Sequence, residues 1–122
     1  NSLQIESYEA TMGKIQSRQP DPAGHDPLAE MREHVGEATR FLKTLANQQR
    51  LLILCALAEG EQNVGQLNTR VDLSPSALSQ HLAWLREAEF VRTRRVSQTI
   101  YYQLADKRVV KIMGVLKELF CP

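Results

Sequence analysis

The sequence predicts a mainly α-helical chain with a single β-hairpin wing, a winged helix-turn-helix. Three observations predict it. Apolar residues recur at helical spacing along most of the chain, in segments separated by short polar breaks. After a short helical segment, the tight turn Asp72-Leu73-Ser74 leads into Pro75 and a second helix, which is how two helices joined by three or four residues are punctuated. Only between Phe90 and Leu104 does the period switch from helical to alternating.

The elements follow in order. Residues 1–26 read as an arm, either mobile or docked on a partner subunit. Ile5, Tyr8, Met12 and Ile15 allow a short amphipathic helix there, and Gln19-Pro-Asp-Pro-Ala-Gly reads as a linker. Residues 27–122 form the single domain that follows. Asp26 and Pro27 open a first helix, whose stripe is Leu28, Met31, Val35, Ala38, Phe41, Leu42 and Leu45 and which ends near Ala46. Asn47 caps a second helix, Gln48 to about Ala58. It is apolar almost all round through Leu51-Leu52-Ile53-Leu54-Cys55, so it is expected to be central and buried. A short helix spans Val64–Val71. Ser74 then caps a helix in which Leu78, Leu82 and Leu85 face inward, while Ser76, Ser79, Gln80 and His81 fall on other faces. Val91, Thr93 and Arg95 alternate with Arg92, Arg94 and Val96. Thr99-Ile-Tyr-Tyr-Gln-Leu returns after Ser97-Gln98, giving a hairpin with a basic first strand. A final helix of about five turns, Ala105 to Cys121, carries Val109, Ile112, Met113, Leu116 and Phe120 on one face, with Val110, Val115 and Leu119 around it. That is more apolar surface than one small core covers, which predicts a two-fold dimer through the first and last helices.

Composition narrows the function. The chain has 122 residues, 43% of them apolar, and a net charge of +1, so total charge selects no partner. Its distribution is more informative. From Phe90 to Lys111 the cations Arg92, Arg94, Arg95, Lys107, Arg108 and Lys111 stand against Asp106 alone. Such a segment suits a localised anionic surface, DNA being one candidate and a merely solvated basic face the other. No apolar run has membrane-spanning length and no secretory signal is visible, so a cytoplasmic protein is expected. Cys55 and Cys121 are then expected to be free, reactive or metal-bound rather than a standing disulfide. No Gly-rich phosphate loop, metal-ligand cluster or nucleophile elbow is present, which argues against an enzyme.

The segments Leu42-Lys-Thr-Leu-Ala-Asn-Gln-Gln-Arg50-Leu-Leu-Ile-Leu, Leu73-Ser-Pro-Ser-Ala-Leu-Ser-Gln-His81-Leu-Ala-Trp-Leu-Arg86-Glu-Ala and Val91 to Tyr102 resemble the ArsR/SmtB family of bacterial repressors, from about Leu42 to Cys121. Two positions depart from the family pattern. Glu89 stands where a glycine usually follows the recognition helix, and Ser97 where the hairpin tip often carries one. The resemblance implies a homodimer on double-stranded operator DNA, with Ser76, Ser79, Gln80 and His81 facing the major groove. Gln80 has the chemistry for a bidentate contact to adenine, and Arg92, Arg94 and Arg95 would meet phosphates. For His81 a plain helix-packing role is the other reading. Family metal sites need clustered Cys, His, Asp or Glu. The matching stretches, Asn63 to Asn68 and the final helix around Asp106, do not offer them, so neither a metal nor a cofactor is expected. Cys55 and Cys121 resemble instead the family's dithiol branch, the BigR, SqrR and HlyU-like regulators. There two thiols respond to persulfides or other oxidants and DNA affinity falls. The alternatives are structural cysteines with another inducer, or a winged helix used for protein contacts.

Overall fold

The computed structural model describes residues 26–121. The helix and linker expected within the N-terminal arm lie outside these residues. The described elements run α1 (Pro27–Leu45), α2 (Gln48–Ala58), β1 (Gln62–Asn63), α3 (Val64–Arg70), α4 (Pro75–Glu87), β2 (Val91–Val96), β3 (Thr99–Leu104) and α5 (Lys107–Phe120). The chain divides into two units within α1, residues 1–39 and 40–122.

The described part of the first unit is the opening of α1. Asp26 caps it, its Oδ1 accepting the Leu28 N–H at 3.0 Å. Leu28, Met31 and Val35 stand exposed along it.

The second unit holds the core. Asn47 has extended backbone, and its Oδ1 accepts both the Gln49 and the Arg50 N–H at 3.0 Å, which starts α2 where two orphan donors need a partner. Ile53, Leu54 and Leu57 of α2 meet Leu67, the three inward leucines Leu78, Leu82 and Leu85 of α4, Phe90, Val91, and Val109 and Met113 of α5. Each such side chain removed from water is worth about 1.5–3 kcal/mol, and together they hold α4 against the rest of the unit.

Three expectations are corrected here. The second helix is not buried all round. It packs against α3, α4, α5 and β3, so a stripe with Leu52 (50% exposed) and Cys55 remains open. A third strand, β1, was not expected. It pairs Gln62 with Tyr102 and Asn63 with Tyr101 and is too short to show any alternation. Asn63 then caps α3 in a reciprocal box with Gln66. The final helix is shorter than expected, because the Asp106 carboxylate accepts the Arg108 N–H at 2.7 Å and thereby fixes the start at Lys107. Ile112 and Leu116 are half-buried beside Val109 and Met113. Phe120, expected on the same face, is 76% exposed.

The sheet order is β1-β3-β2, antiparallel throughout, with Val96 opposite Thr99 across the two-residue turn Ser97-Gln98. Ser97 has φ 58, a positive-φ residue at the first position of the two-residue hairpin turn. Glu89 has φ 62 and closes α4 in a Schellman arrangement. Its N–H donates to the Arg86 carbonyl at 3.0 Å, and the Phe90 N–H donates to the Leu85 carbonyl at 2.9 Å. The two departures from the family pattern are thus the two non-glycine residues with positive φ among those described. No helix among the described residues is long and apolar enough to cross a membrane.

Candidate nucleic-acid interface

The α3–turn–α4 segment is built to present one side of α4. Asn68 ties the turn by donating its side-chain amide to the Leu73 carbonyl at 2.8 Å. Ser74 then caps α4 through the Ala77 N–H at 3.1 Å, with Pro75 in the first helical position. Because Leu78, Leu82 and Leu85 are buried, Ser76, Ser79 and Gln80 are left exposed on the opposite side. Gln80, Ala83, Trp84 and Glu87 line a shallow depression along the same helix. His81, next to buried Leu82, is half-buried, set back from the three exposed side chains.

The wing follows directly. Residues opposite one another across antiparallel strands share a face. Arg92 and Arg94 therefore lie with Gln103 and Tyr101 on one face, and Arg95 lies with Ile100 on the other. All three arginines are exposed, yet the hairpin does not bring all three together. Arg94 is engaged within the chain. Its Nε donates to the Glu61 carboxylate at 3.1 and 3.2 Å, its Nη2 donates to the same group, and the guanidinium lies 5.3 Å from the Tyr101 ring centroid. Those hydrogen bonds hold the Glu61 carboxyl below its ordinary pKa. Arg95 donates Nε–H to the Ser97 carbonyl at 3.1 Å, next to the hairpin turn.

The two thiols belong to the same unit. Cys55 sits on the open side of α2 and Cys121 directly follows α5. Both are free and exposed as residues. The Cys55 sulfur still packs inward, its S–H donating to the Met113 sulfur at 3.8 Å. Burial therefore pushes the Cys55 thiol above the ordinary cysteine range, and the neighbouring Cys121 and Glu59 charges push the same way. The Cys121 sulfur thus lies within electrostatic reach of Cys55 although 66 positions separate them in sequence. Among the described residues no three Cys, His, Asp or Glu side chains gather as a metal site.

Sequence reasoning passed over Arg50, Glu61, Trp84 and Met113 as parts of this arrangement. Only Arg50 left a usable signal: it is the one charged residue in the otherwise uncharged run Gln48–Ala58.

A tight helix-turn-helix whose second helix has an open polar side, followed by a basic hairpin, defines a winged-helix DNA-binding domain. Residues 47–93 match the family described as bacterial regulatory protein, arsR family. The transcriptional activator HlyU of Vibrio cholerae is 46% identical over 94 residues, covering 77% of this chain and 87% of HlyU. The biofilm growth-associated repressor of Agrobacterium fabrum is 40% identical over 102 residues, covering 84% of this chain and 87% of the repressor. The solved structure of reduced HlyU from Vibrio cholerae superimposes with a TM-score of 0.72 at 45% identity, over 76% of this chain and 98% of that one. The chain belongs to the ArsR/SmtB family, and it is a DNA-binding transcriptional regulator rather than an enzyme.

Proposed function

We propose that the protein is a cytoplasmic homodimeric regulator, in action a repressor, whose affinity for double-stranded operator DNA falls when Cys55 and Cys121 become linked by reactive sulfur species or other oxidants. The observation that supports this reading is the placement of two free, exposed thiols in one unit, Cys55 on α2 and Cys121 directly after α5. On the DNA side, Ser76, Ser79, Gln80 and His81 of α4 meet the major groove. Arg92, Arg94 and Arg95 of the wing meet phosphates and set the salt dependence. Residues 1–26 act as an arm to the domain of residues 27–122.

Exposed apolar residues support the dimer. On α1 they are Leu28, Met31, Val35 and Leu42, and on α5 they are Val110, Val115, Leu119 and Phe120. We assign their cover to a second copy of the chain.

The switching chemistry balances with a persulfide RSSH as the oxidant. The exposed Cys121 thiolate attacks the outer sulfur, breaking the S–S bond, releasing RSH and leaving Cys121 as a persulfide. Cys55, kept protonated until then, loses its proton and attacks the inner sulfur of that group, expelling hydrosulfide. In sum, RSSH and two thiols become RSH, hydrogen sulfide and a Cys55–Cys121 disulfide. A second persulfide consumed in the same way leaves a trisulfide. A disulfide needs Cα atoms within about 7 Å, and a longer bridge relaxes that demand. Tying α5 to α2 re-angles the two wings of the dimer away from half-sites about 34–36 Å apart.

The test is DNA binding by the reduced chain and by chain treated with glutathione persulfide, each with intact-mass analysis. The expected result is weakened binding with a mass consistent with bridged cysteines, and Cys55→Ser unresponsive. Full response in Cys55→Ser, or unchanged binding with both thiols unmodified, overturns the switch and leaves a regulator with another inducer. If binding is insensitive to salt, the wing contacts fail and a protein-interaction role takes their place.

A further inference from the structure

Arg50 is the one buried charged residue among those described, 7% exposed, and no carboxylate among them is paired with it. Its charge is met by three other groups. The Nε–H donates to the Thr44 carbonyl at 2.7 Å and Nη2 to the Lys43 carbonyl at 3.3 Å, two of the last carbonyls of α1, which have no partner within their own helix. The guanidinium carbon lies over the Trp84 ring, 4.5 Å from its centroid. One side chain on α2 therefore ends α1 and leans on α4. Trp84 follows Gln80 by one helical turn on α4, and the residue is 54% exposed, so burial alone does not hold it.

We propose that Arg50 is a positioning residue for DNA recognition. By capping α1 and stacking on Trp84 it sets the rotation of α4, and with it the direction of Gln80 and Ser76. The Arg50–Trp84 contact then governs which sequences the protein prefers, not how many phosphates it holds. The two roles separate cleanly, because rotation of a recognition helix alters base contacts while the wing contacts persist. The inference rests on α4 being the reading helix. Only arginine serves, since lysine lacks the planar fork that stacks and donates twice.

The probes are a duplex selected by the wild-type chain from a random library and a random-sequence duplex of equal length, each titrated over a range of salt. Trp84→Leu is expected to lower the selected-to-random affinity ratio about tenfold. The salt slope stays unchanged, and Trp84→Phe restores most of the ratio. Arg50→Lys is expected to match Trp84→Leu, and the double variant to be no worse than either single one. An unchanged ratio in Trp84→Leu overturns the proposal, as do multiplicative losses in the double variant or a salt slope altered by about one phosphate. If Arg50→Lys fails to fold, the Trp84 pair decides the question alone. Gln80→Ala separates the two readings. A ratio unaffected by Gln80→Ala removes α4 as the reading helix. A ratio lowered there but not in Trp84→Leu removes only the positioning role.

Discussion

Glu89 and Ser97 hold left-handed backbone, at φ 62 and 58. For an L residue that conformation costs about 1–2 kcal/mol. Glycine relieves the strain and returns roughly 0.5–1 kcal/mol of it as extra freedom in the unfolded chain. Glu89→Gly and Ser97→Gly are each therefore expected to stabilise the protein by about 0.5–1 kcal/mol. This would be seen as a higher urea midpoint at constant slope and fixed protein concentration. A lower midpoint would mean that the side chains make contacts worth more than the strain. At Cys55 the sign runs with the raised thiol pKa. The folded thiol keeps its proton at pH values where the unfolded one has lost it. Stability is thus full below the unfolded thiol pKa and declines as pH climbs through the folded one. Alkylation by iodoacetamide, followed by peptide mass mapping, is expected to reach its midpoint for Cys55 at higher pH in the folded than in the unfolded chain. Coincident midpoints would rule out the packing of Cys55 against Met113 as the cause.

At the scale of elements the wing is the informative case. The Glu61 carboxylate, at the entrance to β1, reaches past Tyr101 of β3 to Arg94 of β2, so the sheet edge supplies an internal competitor for one candidate phosphate contact. Glu61→Gln is expected to tighten DNA binding and steepen the salt slope by about 0.9, the increment for one additional phosphate. An unchanged slope in a salt titration would show Arg94 held away from DNA by more than this pair. The arginine lowers the Glu61 pKa, so the pair is present at neutral pH and is lost only as pH falls through that lowered value. On α2 the cap is the weak point. Asn47→Ala removes an acceptor shared by two N–H groups and is expected to cost about 0.5–2 kcal/mol in urea unfolding. No loss at all would mean that water satisfies both donors equally well.

At the scale of the molecule, α5 joins several roles. Val109 and Met113 anchor it in the core, Met113 also contacts Cys55, Cys121 follows its last turn, and Val110, Val115 and Leu119 stay exposed. Val115→Glu leaves the core intact and charges the exposed side. It is expected to sediment as a monomer and to bind operator DNA more weakly, since one half-site replaces two. Sedimentation as a dimer would remove that side of α5 from the interface.

How much was legible in the sequence follows from where the information resides. Periodicity and caps are local, so Asn47, Ser74, the inward leucines of α4 and the alternating hairpin could be read directly, and with them the winged fold. The candidate DNA side chains were legible because burying Leu78, Leu82 and Leu85 leaves Ser76, Ser79 and Gln80 open on the same helix. That Arg95 parts from Arg92 and Arg94 also follows from strand alternation. Pairings between distant residues were not legible. Glu61 and Arg94 are 33 positions apart and Cys55 and Met113 are 58 apart. Arg50 meets Trp84 only because α2 and α4 pack together. The sequence by itself determined the elements, their order and their inward faces, since these follow from local sterics and the period of apolar residues. Only the tertiary structure decided which charges are neutralised, what the Cys55 sulfur packs against and what steadies α4, because those depend on distances that chain packing alone sets.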